Sequence, residues 1–88
     1  MSIWKIRIYS NKDDQNAMCC TVVARGDTEK DAEQLAEKDH VKNFPDLSKR
    51  PRAKACGLAS NSEAKMLEDG ESVRLIEYVL LHENDGGV

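Results

Sequence analysis

The run Val73–His82, Val-Arg-Leu-Ile-Glu-Tyr-Val-Leu-Leu-His, limits the possible folds of this chain more than any other segment. Read with the two-residue period of a strand, it places Val73, Leu75, Val79 and Leu81 on one side, and Ile76, Tyr78 and Leu80 also bring apolar groups to the other. Strands apolar on both faces are usually central and covered twice. The chain has little with which to cover them. A domain of 88 residues hides only about 60–68% of its unfolded surface. With one Trp, one Phe and two Tyr, its interior must be built from aliphatic residues, Met and Cys. That suffices for one sheet and one or two helices, and it leaves part of an apolar strand available to a partner.

The N-terminal segment alternates in the same way. Trp4, Ile6 and Ile8 share one face and Lys5 and Arg7 the other, as in a half-buried strand. A polar stretch, 11–16, carries turn-forming residues. A second β-rich run over 18–25 follows, with Met18, Cys20, Val22 and Ala24 on the predicted core face. The two segments predict a hairpin. After Gly26, Thr28 is placed to accept amide hydrogens and Asp31 suits the first turn of a helix. Ala32, Leu35, Ala36, Val41 and Phe44 then recur at helical spacing as far as Pro45, while Glu29, Glu33, Glu37 and Asp39 read as a solvated face.

Between residues 43 and 61 the pattern weakens, with Pro45, Pro51 and Gly57 as breakers and a basic loop, 49–54, holding Lys49, Arg50, Arg52 and Lys54. A structureless loop of this length is uncommon in a compact domain. Residues 52–59 are therefore read as an edge strand or a packed crossover built on Ala53, Ala55 and Ala59. Ser60 with Glu63 forms a capping box for a short helix over 60–67, the alternative being a hairpin turning at Asp69-Gly70. The predicted class is α+β: a small antiparallel sheet of three to four strands in the order β, β, α, crossover, β, with one main helix and a short second one packed on one face. Residues 1–82 form a single domain and 83–88 a flexible tail.

No catalytic set assembles from these residues. The two histidines, His40 and His82, lie far apart in the sequence, and Cys19 or Cys20 with His82 is a pair without a third group to orient it. Three cysteines with no CxxC spacing are a cytosolic pattern and read as buried thiols. A zinc site would need four ligands, which no spacing here supplies. No glycine-rich phosphate loop is present. The expectation is a protein that is not an enzyme and holds no metal or other cofactor. Its predicted address is cytoplasmic, because the chain has no run of roughly 20 apolar residues and no signal-peptide plan at Met1-Ser2-Ile3-Trp4-Lys5.

Function is therefore sought on surfaces. A net charge of −3 argues against a molecule-wide nucleic-acid or membrane footprint. The leading expectation is a small protein-interaction module, self-associating as a homodimer or bound to another protein through Val73, Leu75, Glu77, Val79 and Leu81, with Glu77 as a polar contact inside the apolar strip. The alternative is a nucleic-acid-associated accessory protein, or one docking on an acidic surface, using Lys49, Arg50, Arg52 and Lys54. That cluster has no interleaved aromatic in sequence. Short acidic α+β chains without a familiar motif are also typical of phages and mobile elements, where such proteins inhibit host defence enzymes by covering a surface.

Overall fold

The computed structural model describes residues 2–11, 16–45 and 49–82, with side chains described for all of these except 11, 16–18, 49–50 and 79–82. Residues 12–15 of the predicted 11–16 turn and the tail at 83–88 lie outside that set. Strands β1 (Ser2–Asn11) and β2 (Asn16–Gly26) precede helix α1 (Glu29–Asn43), followed by β3 (Lys49–Leu58), the short helix α2 (Asn61–Ala64) and β4 (Val73–His82). The four strands form one sheet in the order β3-β1-β2-β4, and every neighbouring pair is antiparallel. The α+β class is as predicted. The 49–54 segment differs from the loop expected of it: it opens β3, an edge strand.

Two crossings follow from that order. β2 and β3 run parallel on either side of β1, so α1 must carry the chain back over β1. It seals one face, where Ile6, Ile8, Cys20, Val22 and Ala24 meet Ala32 and Ala36. The small side chains of α1 and of Ala53 and Ala55 on β3 allow the helix to lie close to the sheet. Thr28 caps the helix through its side chain, which accepts from the Asp31 amide at 3.2 Å. Gly26 is needed immediately before it, because a Cβ there would lie 2.8 Å from the Ala32 nitrogen.

The register of the helix departs from expectation at one turn. Val41 points outward and is 45% exposed, while His40 occupies the inward position and is buried. The inward row is Ala32, Ala36 and His40, spaced i, i+4. His40 is accommodated because Ser10, which continues the alternation of Ile6 and Ile8 into the buried layer, lies 2.8 Å from its Nε2.

The second crossing joins opposite edges of the sheet, β3 to β4, and passes over the other face. Residues 59–72 close one end of that face. The Ala59 amide donates to Ile3 O, Lys5 Nζ meets Glu63 Oε2 at 3.0 Å, Arg25 donates to the carbonyls of Glu71 and Glu68, and Arg74 pairs with Glu71. Val23, in register between Lys5 and Arg74, is consequently fully buried even though it faces away from α1. The expected picture of both helices on one face is corrected accordingly: α2 belongs to the face opposite α1.

Glu63 makes this closure pH-dependent. Its carboxylate accepts the Ser60 amide at 2.9 Å and pairs with Lys5, while its own amide donates to the Ser60 hydroxyl, completing the predicted capping box. The Ser60 amide first, and then Lys5, hold its carboxyl down at about 2. A glutamate in the unfolded chain titrates near about 4.3. The stabilisation is thus fully present above that pH and is lost as pH falls through about 2. Urea unfolding midpoints measured from pH 5 to 2 are expected to fall, and Glu63→Gln to flatten part of that slope.

Candidate functional site

The two sheet edges are finished differently. Along β3, the amide of Ala53 donates to Glu37 Oε1 at 3.1 Å and that of Ala55 to Glu33 Oε2 at 2.7 Å. These carboxylates stand one turn apart on α1 and occupy hydrogen-bonding positions that an added strand would use. They correct the reading of Glu33 and Glu37 as part of a solvated face. Pro51, the exposed Arg52 and Lys54, and a register shift beside Gly57 blunt the same edge further. Glu33→Ala with Glu37→Ala is expected to cost about 1–3 kcal/mol for two lost amide bonds and to produce concentration-dependent aggregates in light scattering.

The β4 edge has no such cover: among the described residues, no side chain is hydrogen-bonded to a backbone amide of β4. Nor is β4 the doubly covered central strand that its composition predicts. Its apolar content is explained instead by its place beside a helix that leans toward the other edge. α1 lies over β1, β2 and β3 and scarcely reaches β4. Leu75 is 37% exposed and Tyr78 54%. Between α1 and β4 runs an open groove. One part, about 140 Å³, is lined by Ile8, Val22, His40, Phe44 and Leu75, and a shallower part, about 430 Å³, by Leu35, Lys38, Lys42 and Val73.

A bulge divides the predicted binding strip. Register against β2 runs Val73↔Ala24, Arg74↔Val23 and Leu75↔Val22, then shifts to Glu77↔Thr21 and Tyr78↔Cys20. Val73, Leu75 and Tyr78 therefore line the helix side, with Tyr78 and Phe44 ring centroids 6.4 Å apart. Glu77 lies on the opposite face, its Oε1 3.5 Å from the Thr21 hydroxyl. Val79 continues in register with Cys19 and Leu81 with Ala17, but their side chains lie outside the described residues. The strip is thus divided, with Val73 and Leu75 on one face of the strand and Glu77 on the other. An alternating pattern gives no sign of an inserted residue, and for that reason the five residues look continuous in the sequence.

Of the basic group, Arg52 and Lys54 project from β3 on the face away from α1, in register with Tyr9 and Arg7. Lys49 and Arg50 belong to the same strand, with side chains outside the described set. Tyr9 is the aromatic that the linear cluster lacked. It was legible as an outward residue of β1, but only strand pairing places it beside Arg52.

Ser10 and His40 are a serine–histidine pair that sequence reasoning missed, although the i, i+4 spacing from Ala36 and the alternation after Ile8 both signal it. Such a pair can activate a nucleophile. Here both side chains are buried, with His40 also lining the groove beside β4, and the bond reads as satisfaction of a core histidine. Cys20 is equally enclosed: burial, and then the neighbouring Cys19, push its thiol up to about 11, leaving it protonated at neutral pH. β2 and β4 are neighbours, but His82 is in register with Asn16, three and four residues from Cys19 and Cys20. Among the described residues, no group of three His, Cys, Asp or Glu side chains gathers as metal ligands do. Among the same residues, no helix is long and apolar enough to cross a membrane. No family model, curated protein or solved structure matches the chain.

Proposed function

We propose that the protein is a non-enzymatic binding module that works as a homodimer, pairing the open edge of β4 with β4 of a second copy. The observation that carries this reading is the contrast between the edges: β3 is capped by Glu33 and Glu37, whereas β4 presents ten residues of strand beside an apolar groove. An uncovered apolar edge favours strand addition. The sequence of β4 also suits its own antiparallel copy. A twofold axis between Leu75 and Ile76 sets Arg74 opposite Glu77 of the second copy, both on the face away from α1. The same axis sets Val73 opposite Tyr78, both on the helix side. Opposite charges and apolar pairs facing across antiparallel strands each contribute roughly 0.2–1 kcal/mol.

The burial of Ser10 and His40 and the high thiol titration of Cys20 support a role in binding over one in catalysis. Sedimentation equilibrium over a dilution series tests the assembly. The expected species is about twice the 9.9 kDa chain mass. A single 9.9 kDa species at the highest concentration would contradict it.

A further inference from the structure

We infer that the uncovered half of the sheet face opposite α1 binds single-stranded nucleic acid, with Tyr9 stacking on a base and Arg7, Arg52 and Lys54 contacting phosphates. The 59–72 crossing closes only one end of this face. At the other end, Arg7 of β1 lies in register with Lys54 of β3, and Tyr9 with Arg52. Neighbouring strands stand about 4.8 Å apart and alternate residues about 6.8 Å along a strand, so the three cations flank the tyrosine, Arg7 along β1 and the other two on its β3 side. Tyr9 is 44% exposed and sits on a central strand of the sheet.

Charge use on this face divides at the same boundary. Beneath the crossing every cation is engaged: Lys5 by Glu63, Arg25 by the carbonyls of Glu68 and Glu71, and Arg74 by Glu71. Beyond it, none of Arg7, Arg52 and Lys54 has an ion pair among the described residues. The helix acids that make the chain acidic overall belong to the other face, where Glu33 and Glu37 cap β3. Among the described residues Glu77 is the acid on this half; it reaches from β4 to the Thr21 hydroxyl on β2, and it bounds the basic track on that side. Phosphate-tracking cations beside an exposed aromatic on a sheet suit an unpaired strand, whose bases are free to stack; a duplex keeps its bases inside. The track lies on β1 and β3, away from the β4 edge, so this inference stands independently of self-association.

Fluorescence anisotropy with a labelled oligothymidylate of about 12 nucleotides tests it. Saturable binding at about 50 mM salt is expected, falling steeply by about 200 mM. Tyr9→Ala is expected to weaken binding about tenfold and Tyr9→Phe to preserve it. Arg7→Ala, Arg52→Ala and Lys54→Ala should each reduce the log–log salt slope by about 0.7. Tyr78→Lys, which is aimed at the dimer edge, should bind as the parent chain does. Absence of binding with protein at about 0.1 mM, or equal binding by Tyr9→Ala, would overturn the inference. Equally tight binding of polyglutamate, indifferent to Tyr9→Ala, would also overturn it and assign the patch to an acidic protein surface. Circular dichroism of each variant guards against loss of fold.

Discussion

Ile6→Ala is expected to lower the free energy of unfolding by about 2–5 kcal/mol, toward the upper end of that range, in urea titrations. Ile6 lies on a central strand, fully buried, between Val22 on β2 and Ala55 on β3 and beneath the alanines of α1. Those alanines allow the helix to approach closely, and for the same reason they cannot fill the vacated space. The cavity term should therefore persist almost in full. For a domain whose whole stability is about 5–15 kcal/mol, one such change removes a large share. Val41→Ala, at an outward position of the same fold, is the internal control and is expected within about 0.5 kcal/mol of the parent.

The second large effect concerns association. Tyr78→Lys is expected to weaken self-association at least about 100-fold, on the order of 3 kcal/mol, since a lysine in the pairing strip must be desolvated without a partner. Natural sheets use lysine on edge strands for the same purpose. Tyr78 is more than half exposed in the single chain, so its replacement should leave the monomer folded. Leu75→Lys should act in the same direction but also disturb the apolar wall shared with Ile8 and Val22. The two variants together separate loss of pairing from loss of packing, with sedimentation velocity reporting the first and urea midpoints the second.

The sheet, its hairpin and both helix starts were legible because period-two alternation, Thr28 and the Ser60–Glu63 box act over a few residues. What escaped the sequence depends on pairing across the chain. The edge position of β4 could not be read from its composition, since an apolar strand beside a helix that stops short of it looks like a buried one. The bulge near Ile76 is set by register against β2. Likewise Glu33 and Glu37 look like any exposed helix acids until β3 is laid alongside them. Arg7, Tyr9, Arg52 and Lys54 become neighbours only because β1 and β3 pair. The sequence directed attention to β4 and to the basic cluster. The fold replaced a continuous strip with an edge and a groove, and a basic loop with part of a sheet face.

The most direct test of β4 pairing is an isotope-filtered NOE experiment on a mixed sample of labelled and unlabelled chains, which detects only contacts between copies. Backbone contacts between β4 of one copy and β4 of the other, centred near Leu75 and Ile76, are the predicted result. Contacts confined to α1 or β3, or none at a concentration where the parent chain sediments as a dimer, would contradict the account.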